Sequence, residues 1–350
     1  MGRQTEDKAM PLDGPPPIFF EHLRICVSFY CNLYCKHCYV PKERRTQYRR
    51  FFEPFQLSID EMTNFIDLLV DEYCLRMVSV TGGEPLLEIV FPRTAAVMAH
   101  ANKRGLHVQL YTGGLGQVPI HEVVSIFEDP GKLSFQFSFD GAKPDTVDRL
   151  RGKAGVYESA LRQIAEAVNC GASVHARMTA NRHNIGEAQD VYRLLSSIGV
   201  DCFRIKPILA SGAALDNEDA FLGTAAEIRD LQEALIAMAA KSSARLELSP
   251  PIFVDTKELR PNVKFNECSC GITSVYLSAN GDLYPCPYVI GDPDSHKFLI
   301  GNIRAPKFDL ETAWRNSPAL TDYGANSGCT HCPSQVALLK NIVNRALAGV

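Results

Sequence analysis

Short apolar runs alternate with stretches of helical period from Leu23 to Pro207. Leu23 to Val27, Arg76 to Val80, His107 to Thr112, Leu133 to Phe139, Ser173 to Thr179 and Val200 to Ile205 read as six strands, the fourth with strict alternation. Between the first two, Ser58 and Glu61 form a capping-box signal for a helix from Ile59, with Met62, Phe65, Ile66 and Leu69 on one face. A helix from Tyr157 ends at Gly171, and one over Val191 to Ile198 ends at Gly199, each glycine suiting a left-handed cap. Strand and helix alternating in this way imply an α/β fold with parallel pairing, whose ligands gather at the C-terminal ends of the strands.

The pattern then changes. Leu209 to Pro261 holds a loop, an amphipathic helix from about Thr224 to Lys241 and a break at Ser249-Pro250-Pro251, and reads as a bridge. Val275 to Ala279 and Asp282 to Tyr284 flank Asn280-Gly281, a two-residue hairpin signal because both residues tolerate positive φ. The expected organisation is an extension over 1–19, a main domain over 20–215, a bridge over 216–262 and a small domain over 263–350.

A chain of 350 residues with 46% hydrophobic content can bury a full core. No run of about 18 apolar residues offers a membrane span, and Met1 to Phe20 lacks the apolar segment of a signal peptide. The expected compartment is therefore the cytoplasm. A net charge of -4 argues against a nucleic-acid partner. The basic cluster of Lys42, Arg44, Arg45, Arg49 and Arg50 reads as a solvated loop, with an anion contact as its alternative.

Twelve cysteines without a secretory signal point to metal rather than disulfides. Cys31, Cys35 and Cys38 are spaced C-x3-C-x2-C and supply three thiolates with no fourth. Structural zinc prefers four protein ligands, and this first gap is wrong for a zinc knuckle. A cubane iron–sulfur cluster held by three thiolates keeps one iron open to a small molecule. Cys268, Cys270, Cys286, Cys329 and Cys332 crowd the last quarter of the chain, where four thiolates could also close around zinc. Cys26, Cys74, Cys170 and Cys202 lie on or beside strand and helix patterns and read as core.

The three-cysteine run, followed by Thr81-Gly82-Gly83-Glu84-Pro85, closely resembles the radical S-adenosylmethionine (SAM) superfamily. The resemblance implies a partial (β/α)6 TIM-like barrel. It also implies a [4Fe-4S] cluster on Cys31, Cys35 and Cys38 whose open iron binds SAM, and reductive cleavage of SAM to a 5′-deoxyadenosyl radical that takes hydrogen from a substrate. Gly82, Gly83 and Glu84 match the segment that receives the methionyl ammonium, with the glycines allowing close backbone approach. His37 matches a ring position near adenine. Ser138, in a Ser-x-Asp-Gly pattern, is expected at the carboxylate or ribose, and Arg177 at the carboxylate or in a salt bridge at the barrel edge. Thr112-Gly113-Gly114 departs from the family's Thr-Asn-Gly, which leaves that turn without an assigned role.

The last quarter resembles the auxiliary-cluster extension called SPASM in its long form and twitch in its short form. No cysteine follows Cys332, so the resemblance implies a twitch domain with a second [4Fe-4S] cluster on Cys268, Cys286, Cys329 and Cys332. Cys270 is left over as an alternative ligand, a buried small side chain, or a thiol that returns hydrogen to a substrate radical. With only 30 residues before Cys31, the expected substrate is a small molecule, a sugar, nucleoside or aminocyclitol of antibiotic biosynthesis. A ribosomal-peptide maturase using a separate recognition protein and a haem-pathway enzyme are the alternatives. Flavodoxin or ferredoxin is the expected electron donor. A protein that had kept the clusters and lost catalysis would be expected to lose the Gly-Gly-Glu run as well.

Overall fold

The computed structural model describes residues 17–41, 55–217, 225–255, 261–266 and 268–320. The basic cluster after residue 41, Cys329 and Cys332 lie outside the described residues. All six expected strands are present: β1 (His22–Ser28), β2 (Met77–Gly82), β3 (His107–Thr112), β4 (Leu133–Ser138), β5 (Ser173–Ala180) and β6 (Cys202–Pro207). Between them run α1 (Ile59–Tyr73), α2 (Phe91–Lys103), α3 (Ile120–Val124), α4 (Pro144–Arg151), α5 (Val156–Asn169) and α6 (Ala188–Ile198). Each strand pairs in parallel with the next, β1 to β6. This is the arrangement that intervening helices enforce.

The parallel run is longer than six strands. The stretch read as a bridge holds α7 (Ala225–Ala239) and β7 (Arg245–Leu248), and β8 (Val263–Phe265) follows, both strands joining in parallel beyond β6. On the other edge, β9 (Ser274–Leu277) pairs in parallel with β1 and in antiparallel with β10 (Asp282–Tyr284), which pairs with β11 (Gly301–Asn302). The sheet order ends at β11 and β8, so the barrel is partial and stays open. A short helix α8 (Leu310–Arg315) places Trp314 edge-on against Phe20, 4.6 Å between centroids.

Local signals explain the helix ends. Ser58 and Glu61 form both hydrogen bonds of the capping box, and Met62, Phe65, Ile66 and Leu69 are buried. Gly171 and Gly199 take φ of 73° and 95° behind α5 and α6. The hairpin differs from the two-residue expectation. Ser278 N–H donates to Asp282 O at 2.8 Å and Gly281 N–H to Ser278 O at 3.0 Å, closing a three-residue loop in which Gly281 takes φ of 93°. Asn280 is not among the residues with positive φ, so one glycine suffices.

Two strand cysteines, Cys26 and Cys202, are buried as expected, but Cys74 is exposed and Cys170 half-buried. Cys74 caps α1 in the left-handed region at φ 59°, with its N–H on Leu69 O. A side chain there costs about 1–2 kcal/mol, against about 0.5–1 kcal/mol for glycine's greater chain entropy. Cys74→Gly should therefore raise stability by about 0.5–1 kcal/mol, read as a higher denaturant midpoint. A lower midpoint would contradict this account of the cap.

Candidate active site

The polar faces of the central strands point into the barrel. In β4, Ser134 and Gln136 are as buried as Leu133, Phe135 and Phe137. Gln136 accepts from Arg204, and Ser134 bonds His107 at 3.0 Å. The alternation along β4 therefore separates a helix-covered apolar face from a buried polar interior, not core from solvent.

Two cavities occupy this interior. One, of about 150 Å³, lies at the C-terminal ends of β1 to β6 and is lined by Cys31, Cys35, Cys38, Glu84, Ser138 and Arg177, among others. The other, of about 280 Å³, lies among Arg24, Gln109, Lys206, Cys268, Cys270 and Cys286. Tyr39, Thr81, Tyr111, Arg177 and Tyr288 line both, so the cavities adjoin.

The cysteine loop is held from two sides. Tyr34 N–H donates to Arg151 O at 3.0 Å and Lys36 N–H to Leu150 O at 2.9 Å, fastening the loop to the end of α4. On the other side Ala213 N–H donates to Cys38 O at 2.8 Å. Behind the loop, the Arg151 guanidinium pairs with Asp140, which accepts from Thr179 N–H at 2.8 Å and faces His37 Nε2 at 3.5 Å. Arg151 also reaches Cys35 Sγ at 3.7 Å. Burial alone would raise the Asp140 pKa, but Arg151, His37 and the Thr179 N–H outweigh it and hold it below the ordinary value. Burial pushes His37 down to about 4, so its ring is neutral at pH 7. Burial also lifts Cys35 to about 11, against the pull of Arg151. Asp140 stood in a recognised pattern, but nothing in the sequence marked Arg151, which is far from the cysteines along the chain.

The Gly-Gly-Glu run serves the loop differently from the expectation. A Cβ on Gly82 would stand 2.2 Å from Ser28 O, and one on Gly83 2.1 Å from Tyr30 O. The glycines are thus required by the chain's own backbone leading into the cysteine loop, although both also line the smaller cavity. Glu84 is buried and its carboxylate takes three hydrogen bonds: it accepts from Leu86 N–H at 3.2 Å, Thr112 Oγ1 at 2.8 Å and Gly113 N–H at 2.7 Å. The departing Thr112-Gly113 turn therefore acquires a role as the seat of Glu84. Burial raises the Glu84 pKa even so.

His37 and Ser138 line the smaller cavity. Arg177 bonds the Tyr288 hydroxyl at the boundary with the larger one. Cys270 is not an isolated thiol. It is hydrogen-bonded to Cys268 and Cys286, which hold its pKa well below the ordinary thiol value, and Arg24 Nη1 donates to it at 3.5 Å. Cys270 thus belongs to the C-terminal thiol group, where it lines the larger cavity. Among the described residues no three His, Cys, Asp or Glu side chains converge on a single metal ion. Three unbridged thiols on one wall of a cavity fit a multi-iron cluster with an open side. No helix among the described residues is long and apolar enough to cross a membrane.

The radical SAM superfamily pattern matches residues 25–195, and the iron–sulfur cluster-binding SPASM pattern matches residues 268–333. The second match covers the segment expected to be a twitch domain. Mycofactocin maturase MftC of Mycobacterium ulcerans is 26% identical over 333 residues, covering 92% of this chain and 82% of its own. The AdoMet-dependent heme synthase of Nitratidesulfovibrio vulgaris is 23% identical over 306 residues, covering 83% of this chain and 77% of its own. Streptococcus suis SuiB, solved with its precursor peptide SuiA, has the same fold with a TM-score of 0.65 and 15% identity, over 87% of this chain. The chain spans 66% of SuiB. The first two are named for maturation and haem synthesis and the third was solved with a precursor peptide, so the expectation of a sugar or nucleoside substrate finds no support in them. With both patterns in place, this chain belongs to the radical SAM superfamily, as an enzyme with a C-terminal SPASM domain, [4Fe-4S] clusters and SAM as its cofactor.

Proposed function

We propose that the enzyme is a peptide maturase that takes a hydrogen atom from its substrate at the smaller cavity. The observation that carries this reading is the relationship to a named maturase over 92% of the chain. Cys31, Cys35 and Cys38 would hold the cluster that binds SAM. A cluster held there would supply one-electron reductive cleavage of SAM, its electron coming from a flavodoxin or ferredoxin. The chain's own part is placement. The Gly82 to Glu84 backbone, Ser138 and His37 would contact SAM, with the Glu84 carboxylate held in place by Thr112 and Gly113. Leu33, Val40 and Leu209 among its lining keep water from the reaction. Cys268 and Cys286, with Cys329 and Cys332, would hold the second cluster, and Cys270 is placed to serve as an alternative ligand.

The test is hydrogen transfer. Perdeuterated peptides encoded by short reading frames beside this gene should pass deuterium into 5′-deoxyadenosine when added to the reduced, reconstituted protein with SAM. Transfer only from a sugar or nucleoside would restore the small-molecule expectation. Transfer only from an iron porphyrin would instead favour the haem-pathway reading, which the heme synthase relationship supports.

A further inference from the structure

The first strand carries a cation into the C-terminal thiol group. Arg24 is the third residue of β1, and the register that pairs it with Tyr276 and His22 with Ser274 lays β1 along β9. Its Nη1 donates to Ser274 Oγ at 2.7 Å and to Cys270 Sγ at 3.5 Å. Ser274 in turn closes the turn that holds Cys270: its N–H donates to Ser269 O at 3.0 Å, and its hydroxyl accepts from Ser269 Oγ at 3.2 Å. The guanidinium is thus anchored in the turn that carries the thiol. Cys268, Cys270 and Cys286 are unbridged and line the larger cavity together with Arg24, which fits thiolate ligation of a second cluster.

A guanidinium keeps its charge in a protein, whereas thiols become anionic on binding metal. Each electron that a cluster gains makes it more negative, so a fixed cation beside its sulfurs favours the reduced form, the more so where little water screens the pair. Net charge and hydrogen bonds to sulfur are among the quantities that set a cluster's potential. Cys270 is hydrogen-bonded to both Cys268 and Cys286, so charge placed at Cys270 reaches the whole group. Lys206 on β6 is a second cation acting on Cys270, after Arg24 in strength.

We propose that Arg24 is a positioning residue of the auxiliary site, which acts through Cys270 to raise the reduction potential of the second cluster. The inference rests on the assignment of Cys268 and Cys286 to that cluster, and is independent of the substrate. Its test reads a potential and not turnover.

The experiment is a potentiometric titration of the reconstituted holoprotein followed by electron paramagnetic resonance, in which titanium(III) citrate gives up one electron for each that a cluster gains. SAM alters the signal of the cluster it binds, so the signal indifferent to SAM belongs to the second. Arg24→Met and Arg24→Gln should each lower the reduced-to-oxidised ratio of that signal at a fixed potential about tenfold, a shift of about 59 mV for one electron. Arg24→Lys, which keeps the charge, should recover most of the shift, and Lys206→Met should produce a smaller one. Iron content verifies that each variant retains its clusters. An unchanged midpoint in the neutral variants, a shift in Arg24→Lys as large as in Arg24→Met, or a larger shift in Lys206→Met would overturn the role of Arg24. So would loss of the second cluster from both neutral variants, since Arg24 would then be a clamp of the turn and no more. A SAM-indifferent signal that persists in Cys268→Ala and in Cys286→Ala would instead overturn the cluster assignment on which the inference rests.

Discussion

Replacing Cys31, Cys35 and Cys38 together by alanine should remove about four irons from the reconstituted chain and abolish formation of 5′-deoxyadenosine from SAM. The three thiols line the smaller cavity with Glu84 and Ser138, and among the described residues no other cysteine lines it. Cys26 is buried elsewhere in the core, and Cys74 is on the surface. Among the described cysteines a stand-in ligand is therefore out of reach without unfolding the loop that Arg151 and Leu150 fasten. Cys74→Ala is the matched control and should retain all its iron and full cleavage. Cleavage by the triple variant at the parental rate would remove these residues from the cluster and force a different site.

The second large effect is expected at a residue that touches no cofactor in this reading. Arg151 is 7% and Asp140 0% exposed in their side chains, and they form an ion pair. Removing one member of a buried pair leaves the other charged in a poor solvent, at a cost of about 3–5 kcal/mol. Arg151→Met should cost that much at pH 8, and adding Asp140→Asn should recover part of it. The loss should depend on pH. Arg151 lowers the His37 pKa and Asp140 raises it, so taking Arg151 away lets His37 accept a proton and pair with Asp140. A group whose folded pKa rises gains stability at low pH and loses it as pH climbs through that value. The gap between parent and variant should be widest above pH 7 and narrow towards pH 5, measured by denaturant midpoints. A gap that is constant or widens as pH falls would show that His37 and Asp140 are not coupled in this way.

Much of the site was legible because it is local. C-x3-C-x2-C sets three donors within eight residues, and Gly82-Gly83 answers a close backbone approach to Ser28 and Tyr30 that any substitution would block. The reason inferred for those glycines was nevertheless incomplete, since the clash partner is the chain itself. Arg151 escaped notice because its role is set by Asp140 and Cys35, 11 and 116 residues away. Cys270 could not be separated from a lone thiol until β9 and β10 brought Cys286 beside it.

Hydrophobic period and capping residues by themselves determined six strands, their helices and the parallel order, because each is decided by neighbours a few positions away. What they could not determine is what lies on the other side of a strand. The alternating polar positions Arg24, Gln109, Gln136, Arg177 and Arg204 look like a solvent face on any single strand. Curling the sheet turns that face inward, burying Gln109 and Gln136 and collecting the cations of separate strands around one cavity. Side-chain direction in a strand is a local property, but whether it meets water or a chamber depends on how far the sheet bends, and that is decided by the packing of every helix around it.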